Sequence, residues 1–310
     1  MFTRKLILFF LFVSVSATAA DTLTMVLGGD VLFDRGVRSV VESQGYDYVF
    51  GDISATLRRA DAAIVNLECP LTMRSRRVYK KYIFRADTVA AAAMHKAGIT
   101  HAAMANNHSM DQGLQGLIDT HECLLQNGIT SLGYATDSDS LMVPAIIRNG
   151  GVEVAVFNAV TIPIENWFAS PGPHKPAVCY TSADTLAAAV RRYHNAHPTV
   201  PVVVFIHWGK EFSDSPTLQQ RIDAAVLARA GATAIVGQHP HVVQTQTMLG
   251  RVPVWYSIGN FVFDQKSRKC NEAQLVVLRF TAEGMIGHDT LPISIVNCRP
   301  TVSLSSQRPR

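Results

Sequence analysis

The sequence predicts an α/β fold, and three observations support this prediction. Apolar runs of strand length alternate with segments of helical periodicity along the chain, which is typical of layered α/β folds. The 310 residues are 48% hydrophobic and 17% charged, an ordinary globular composition. No Pro/Gly/Ser-rich linker divides the chain, so we expect one large domain or two closely packed halves.

Eight apolar runs have the length of β-strands. They are residues 22–28, 62–67, 100–105, 154–160, 201–208, 233–237, 252–259 and 274–281. Five segments have helical patterns, namely 36–44, 87–97, 113–127, 183–196 and 216–231. Gly98 and the pair Asn127-Gly128 follow two of these segments as helix stop signals. The longest irregular stretch, 163–176, predicts a loop over one end of the fold.

The first twenty residues have the pattern of a secretory signal peptide. Arg4 and Lys5 precede an apolar run at 6–13, and a small-x-small cleavage motif follows at 17–19. The apolar run is too short to span a bilayer. We therefore expect a secreted or periplasmic protein, with an uncleaved N-terminal membrane anchor as the alternative.

The charge of the chain gives no reason to expect a nucleic-acid partner. Removing Arg4 and Lys5 with the signal peptide lowers the formal net charge from +4 to +2. The one dense basic run is RSRRVYKK at 74–81. It is either a solvated loop or hairpin, or a patch that steers an anionic substrate toward a cleft.

The five cysteines are too few for a disulfide scaffold. Cys270 and Cys298 lie near the ends of C-terminal segments, and we predict a bridge between them in an oxidising compartment. No CxxC motif occurs, so the sequence predicts no thiolate metal site.

Six apolar runs end in a carboxylate, an amide or an imidazole. These ends carry Asp30, Asn66 with Glu68, Asn106 with Asn107 and His108, His207, His239 with His241, and Asn260. Ligands of open α/β sheets bind beyond the carboxyl ends of the strands. The six endings therefore predict one shared site, and their residue types are those that bind divalent metals through oxygen and nitrogen.

The spacing of these residues supports convergence. Asn66 and Glu68 are two residues apart, so in an extended chain they point to the same side. His239 and His241 flank Pro240, which fixes its own φ and biases His239 toward an extended conformation. This pattern predicts a rigid two-ligand clamp, with a buried proline turn holding two hydrogen-bonded histidines as the alternative.

Six motifs together resemble one protein family. They are GGDVLFDRG, NLECPLT, ANNHSMDQG, HWGKEF, GQHPHVVQ and YSIGNFVFD, and the resemblance that they carry covers residues 22–297. In this order they resemble the CapA family of capsule-synthesis proteins, the poly-γ-glutamate biosynthesis proteins of the calcineurin-like metallophosphatase superfamily. The resemblance implies a four-layer α/β/β/α sandwich over residues 21–300, and the polar composition of 301–310 predicts a C-terminal tail. The resemblance also implies two metal ions at the strand ends.

The resemblance further implies a role for each residue at the strand ends. The implied ligands are Asp30 and His241 for one metal, His207 and His239 for the other, Glu68 as the bridging carboxylate, and Asn107 as an amide ligand. His108 would contact the substrate or donate a proton to it. The metals would be divalent ions, Mn²⁺, Zn²⁺, Fe or Mg²⁺.

Six further side chains are candidates for binding substrate. They are Asn66, Asn106, Asn260, Lys81, Arg85 and Trp208. Arginine suits carboxylate or phosphate groups, and poly-glutamate is a polyanion. The alternative for Arg85 is a surface ion pair.

Two departures from the superfamily pattern separate the functional hypotheses. The phosphatase motif Asp-x-His is here Asp30-Val31-Leu32, and Asn-Leu-Glu replaces Gly-Asp-x-x-Asp. The first hypothesis is a secreted metal-dependent hydrolase of an envelope polymer or a phosphoester. The second is a non-catalytic component that holds the polymer during assembly and works with capsule-synthesis membrane proteins. A metal-stabilised adhesin is a third.

Overall fold

The computed structural model describes residues 21–75, 80–137, 140–164 and 174–303. The predicted signal peptide lies outside these residues, as do 165–173 of the irregular stretch and 304–310 of the tail. Among the described residues, no helix combines the length and apolarity that crossing a bilayer requires.

The elements alternate between strand and helix, which confirms the predicted α/β class. In chain order they are β1 (Leu23–Val31), α1 (Arg35–Gln44), α2 (Tyr46–Phe50), α3 (Ile53–Leu57), β2 (Ala62–Leu67), α4 (Val89–Ala97), β3 (His101–Ala103), α5 (Gly113–Gln126), β4 (Thr130–Leu132), β5 (Tyr134–Ala135), β6 (Ala145–Asn149), β7 (Val152–Val160), β8 (Ala177–Val178), α6 (Ala183–Ala196), β9 (Val202–His207), α7 (Leu218–Arg229), β10 (Ala234–Gln238), β11 (Gln246–Leu249), β12 (Val252–Trp255), β13 (Asn260–Val262), β14 (Glu272–Thr281), β15 (Gly284–Val296) and β16 (Arg299–Val302).

Two large sheets carry most of the strands. The first has the order β16-β15-β14-β1-β2-β3-β4, with β13 also paired to β1, and the second has the order β11-β12-β10-β9-β7-β6. Strands β1 to β4 are parallel neighbours, and so are β7, β9, β10 and β12. The carboxyl ends of each parallel set therefore lie at one edge of its sheet.

The two sheets share an apolar core. One buried cluster combines Leu27 and Ile64 from the first sheet with Phe205 and Val236 from the second. Contact between β1 and β10 brings the sheets together close to the strand ends that carry the polar residues. Helices contact both sheets, with α5 against β4 and α7 against β10.

Local sequence signals set the helix ends. The Asp34 side chain accepts a hydrogen bond from the Arg35 amide at the start of α1. Thr217 and Gln220 form a reciprocal capping box at the start of α7. Gly98, with φ 103°, ends α4 in the left-handed conformation that glycine adopts readily. All five predicted helices are present, with bounds that differ by a few residues.

The C-terminal region differs most from the sequence prediction. Only the first part of the predicted strand 252–259 is a strand, β12, because the chain bends after Trp255 and β13 begins at Asn260. The long strand β15 was not predicted, since partly buried positions interrupt its apolar alternation. Strand β16 pairs with β15 and extends to Val302, so the predicted tail begins inside a strand.

The predicted disulfide between Cys270 and Cys298 is wrong. Both are free, buried thiols in the structure. Cys298 packs within the larger apolar cluster, and Cys270 is buried in a 3-10 turn before β14. Buried free cysteines act as small hydrophobic residues, which accounts for both positions.

Candidate metal centre

The polar strand ends of the two sheets meet, and Asp30 lies at the centre of this region. In β1 it is paired with Asn66 of β2 on one side and with Asn260 of β13 on the other. All three side chains are fully buried. The parallel register therefore surrounds one carboxylate with two amides.

A glycine lets the chain reach this arrangement. A Cβ on Gly29 would lie 1.8 Å from the carbonyl oxygen of Gly259, so no other residue fits there without a backbone shift. The Asp30 amide donates to the same oxygen at 3.3 Å. The register of β1 against β2 shifts between Leu27 and Asp30, as in a β-bulge that re-aims a side chain.

Two groups of potential metal ligands share one carboxylate. The groups are Glu68 with His207 and His239, and Glu68 with Asp30 and His241; within each, one ligand atom per residue lies within 4.8 Å of the others. Glu68 Oε1 lies 3.8 Å from Nε2 of His207 and 3.8 Å from Nε2 of His241. Glu68 thus stands between two clusters, where a bridging ligand is expected.

The donor set fits divalent cations. Both carboxylate oxygens of Glu68 and Nδ1 of His239 are buried and have no hydrogen-bond partner among the described residues. A buried carboxylate without a partner costs several kcal/mol unless a cation or a donor compensates it. Carboxylate oxygens together with imidazole nitrogens are typical ligands of Mn²⁺, Fe and Zn²⁺.

Burial and neighbouring charges shift the pKa values of the site. Burial, and then the nearby Asp30, raise the pKa of Glu68 well above its usual range. Burial lowers the pKa of His207 strongly and that of His239 to about 3, so both imidazoles are neutral, the form that binds metals. Burial also lowers the pKa of His241, but the Glu68 and Asp30 carboxylates outweigh it and raise the value to about 9.

The backbone of the His-Pro-His segment differs from the predicted extended form. His239 has φ 97° and His241 has φ 57°, both in the left-handed region. Because β10 ends at Gln238, the chain has to turn at once to direct both rings into the site. Such conformations cost about 1–3 kcal/mol each and are common at ligand sites. The two rings do lie together, with centroids 6.0 Å apart.

Two of the asparagines predicted to bind substrate make hydrogen-bond contacts with the candidate ligand side chains. Asn66 Nδ2 donates to Asp30 Oδ1 at 2.8 Å and lies 3.3 Å from His207 Nδ1. Asn260 Oδ1 lies 2.9 Å from His241 Nδ1. Such partners fix the orientation of ligating groups.

The other two asparagines continue this network. Asn106 is buried, and its Nδ2 donates to Asn66 Oδ1 at 3.2 Å and to the carbonyl of Leu67 at 2.8 Å. Asn107, the predicted amide ligand, places Oδ1 2.9 Å from His207 Nε2. Asn107 therefore contacts a candidate ligand directly, whereas Asn106 contacts Asn66, which in turn contacts Asp30.

His108 is held by two residues that the sequence analysis missed. Its Nδ1 lies 2.7 Å from Asp111, and a buried Lys80 contacts the same carboxylate at 2.7 Å. Lys80 also donates to the Asn107 carbonyl at 2.8 Å. Burial lowers the pKa of His108, although the Asp111 carboxylate opposes this effect. The i,i+3 spacing of His108 and Asp111 was the sequence signal from which their contact could have been predicted.

The other three residues predicted to bind substrate have the following contacts in the structure. Trp208 is buried, and its indole Nε1 donates to the Tyr256 carbonyl at 2.7 Å, so it serves packing. The Arg85 guanidinium donates to two carbonyls in the preceding loop, at 3.2 and 3.3 Å. Lys81 is exposed, with its ammonium 5.0 Å from the centroid of the Tyr82 ring. The predicted surface ion pair of Arg85 is likewise not among its contacts with described residues.

A small cavity of about 140 Å³ lies beside the candidate metal centre. It is lined by Arg35, Tyr82, Phe84, His108, Glu211, Phe212, His241, Phe263 and Gln265. His108 and His241 connect it to the ligand groups. The sequence analysis did not select Arg35, which follows directly after an N-cap and carried no strand-end signal.

The fold and the site define an α/β protein with a buried, oxygen- and nitrogen-rich centre suited to divalent metals. The chain belongs to the family described as "Bacterial capsule synthesis protein PGA_cap", whose family model matches residues 24–265. The resemblance to this family is thereby confirmed.

Curated relatives and one solved structure are similar to the chain. It is 28% identical to "Capsule biosynthesis protein CapA" of Bacillus anthracis, over 90% of this chain and 69% of that protein. It is 29% identical to "PGA biosynthesis protein CapA" of Bacillus subtilis, over 92% and 75%. A "Probable polyglutamine synthesis accessory protein" of Mycobacterium tuberculosis is 25% identical over 79% and 75%. The crystal structure of TT1561 of Thermus thermophilus aligns with TM-score 0.44 and 11% identity, covering 87% of this chain and 98% of that one.

Proposed function

We propose that this protein is a divalent-metal-dependent hydrolase that acts in the synthesis of an acidic envelope polymer. One observation carries the proposal: the buried Glu68 is shared by two ligand groups, and its oxygens have no other partner among the described residues. The family membership supports the biological setting, because relatives are described as capsule and PGA biosynthesis proteins.

The two metal ions would be held by the two ligand groups. Asp30 and His241 would serve one ion, His207 and His239 the other, and Glu68 both. Asn107 lies close enough to His207 to join the second group. Bound divalent ions polarise carbonyl or phosphoryl groups and activate water for attack.

His108 would handle a proton at the reacting group. Asp111 occupies Nδ1, so Nε2 is the nitrogen that can exchange a proton with a molecule in the adjacent cavity. Asp111 fixes the tautomer and the orientation of the ring, and Lys80 in turn fixes Asp111. The stacking of His108 on Phe84, with centroids 4.2 Å apart, restricts the ring further.

The cellular setting of this proposal follows from the sequence. A signal peptide over residues 1–20 would deliver the chain to the periplasm or the exterior, where the polymer is assembled. The substrate would be an anionic polymer or a phosphoester, and the partners would be capsule-synthesis membrane proteins.

The core shared by the two sheets supports a four-layer α/β/β/α arrangement.

A second candidate is a polymer-binding role without catalysis. Leu32 stands where the phosphatase motif has a histidine ligand, and it is fully buried in the apolar core. One metal thus has one imidazole fewer than in the phosphatase pattern. This observation favours a site that holds an anionic chain through its metals without cleaving it.

The test is the metal content of the purified mature protein, measured by elemental mass spectrometry. We expect about two equivalents in the wild type and at most about one in His239→Ala, with no loss in the exposed control His95→Ala. Wild-type protein without metal, purified free of chelators and supplemented with Mn²⁺, would refute the proposal. Hydrolysis of γ-linked glutamate polymer or a generic phosphodiester by the loaded protein separates the hydrolase from the binding role.

A further inference from the structure

The cavity beside the candidate metal centre contains a cation that the proposed function does not use. Arg35, His108 and His241 line this same cavity. A molecule in the cavity can therefore contact the Arg35 guanidinium and the candidate metal centre at the same time. The Arg35 side chain is 32% exposed, which leaves part of it accessible.

The guanidinium of Arg35 is held in a fixed position. Its Nε lies 3.0 and 3.2 Å from the two carboxylate oxygens of Asp264, and its Nη2 also contacts Asp264. The Cζ atom lies 5.3 Å from the ring centroids of both Phe84 and Phe263. A guanidinium over aromatic faces is stabilised by cation–π interactions.

The same two rings link Arg35 to the site. Phe84 lies 4.2 Å from the His108 ring, and Phe263 lies 4.9 Å from the His241 ring, between centroids. The Phe84 ring therefore lies between Arg35 and His108, and the Phe263 ring lies between Arg35 and the candidate ligand His241. This spacing suits a group that anchors a substrate next to the point of reaction.

The remaining donors of Arg35 are suited to an anion. Its contacts with Asp264 use Nε and Nη2, while Nη1 has no hydrogen-bond partner among the described residues. Guanidinium N–H groups form a planar fork that matches carboxylate oxygens. Arg35 also has φ 53°, an unfavourable left-handed conformation that persists where the surrounding structure requires it.

The cavity walls favour a carboxylate on a short apolar chain over a phosphate. Tyr82, Phe84, Phe212 and Phe263 present aromatic surface that packs well against methylene groups. Glu211 also lines the cavity, and its charge repels a dianion more strongly than a monoanion. The volume of about 140 Å³ limits the occupant to roughly one side chain.

We propose that Arg35 is the specificity-determining residue for a carboxylate of an amide-linked acidic chain, held in this cavity while the neighbouring bond faces the metal centre. This inference rests on the proposed function. Asp264, Phe84 and Phe263 are its positioning residues. The competing explanation is a structural ion pair that only ties α1 to the segment after β13, since Asp264 also accepts from the Gly36 amide at 2.8 Å.

The experiment is calorimetric titration of Mn²⁺-loaded protein with γ-linked triglutamate and with the same peptide carrying carboxamides. Arg35→Gln is expected to weaken binding of the acid peptide at least about tenfold, the effect of losing a charge-assisted hydrogen bond. Arg35→Lys keeps a positive charge opposite Asp264, so its affinity for the acid peptide is expected to lie between those of the wild type and Arg35→Gln. The carboxamide peptide is expected to bind weakly to all three proteins.

Arg38→Gln is the matched control. Arg38 is on the same helix, is paired with Asp34 and has a side chain 34% exposed, but it does not line the cavity. The control is expected to bind as the wild type. If Arg35→Gln and Arg38→Gln lower the melting temperature equally and bind the acid peptide with equal affinity, Arg35 forms only a structural ion pair and the inference is overturned.

Three other results would overturn the inference. They are no binding of the acid peptide by the wild type, equal affinity of the wild type for the acid and carboxamide peptides, and a higher affinity of the wild type for inorganic phosphate than for the acid peptide. Metal content is measured on each sample. A wild type without metal refutes the proposed function, and Arg35-dependent binding of the acid peptide by that protein still supports the carboxylate site.

Discussion

Glu68 Oε1 lies 3.8 Å from Nε2 of His241, and both side chains are buried. The same oxygen is equally far from His207 on the other sheet. One carboxylate just after β2 thus lies between the imidazole that ends β9 and an imidazole that follows β10. The geometry makes Glu68 the residue on which both ligand groups depend.

Under the proposed function, replacing Glu68 with Gln should remove both metal ions, because an amide has no negative charge to offer either group. His239→Ala should remove only the ion of its own group. Elemental analysis of the two variants checks this difference. Retention of two equivalents by the Gln variant would contradict a shared ligand, and Glu272→Gln on the surface is the control.

Replacing Lys80 with Met should destabilise the fold by about 3 kcal/mol or more, because it leaves Asp111 buried without its cation. The two side chains are only 1% and 0% exposed. Urea denaturation gives the free energy of unfolding.

The matched control for Lys80 is Lys96→Met. Lys96 pairs with Asp47 at 2.6 Å, but these side chains are 68% and 73% exposed. An exposed pair contributes less than about 1 kcal/mol. Equal losses in the two variants would show that burial does not set the strength of the Lys80 pair.

Replacing Gly29 with Ala should cost about 3 kcal/mol or more, because the new methyl group would meet a backbone oxygen that has no side-chain freedom to move away. The clash is with Gly259. Gly151→Ala is the control, since its Cβ would meet only one atom, at 3.7 Å. Thermal denaturation compares the two, and a well-folded Gly29 variant with normal metal content would contradict the assigned role of the close approach.

His101 should make the fold less stable in acid. Burial lowers its pKa from 6.5 to about 4. Because the folded value lies below the unfolded one, the unfolded chain binds more protons as the pH falls from 6.5 toward 4, and stability is lost over that window. Above pH 6.5 both states hold a neutral ring, so this effect vanishes.

His101→Gln should therefore flatten the acid side of the stability curve, by up to about 3 kcal/mol at its lower end. The free energy of unfolding is measured at about pH 7 and about pH 4.5 for both proteins. His95→Gln changes an exposed histidine and is the control. An unchanged slope in the His101 variant would show that other groups dominate the acid response.

Local sequence patterns were sufficient for most secondary structure. Hydrophobic periodicity and capping signals act within a few turns of chain, so the five longer helices and the long buried strands were found within a few residues, whereas the short elements α2, α3, β4 and β13 were missed. The partly buried strand β15 was missed because its stability comes from pairing with β14 and β16, which its own residues do not encode.

The candidate site was predictable as a set of residue types and not as a set of contacts. Polar side chains after parallel strands indicated a shared edge, so Asp30, Glu68 and the histidines were selected from sequence. The same logic could not separate ligands from their supports, because Asn66 and Asn260 carry the same signal.

By itself, the sequence determined the α/β class, the strand ends that carry metal-binding residue types, and the family to which the chain belongs. Only the tertiary structure decided which side chains meet. Arg35 meets Asp264 across 229 positions and Lys80 meets Asp111 across 31. Hydrophobic periodicity and local propensity act over a few residues. Such pairs depend instead on the order of strands in the sheets, and on turns such as the one after β10, where His239 and His241 adopt left-handed conformations.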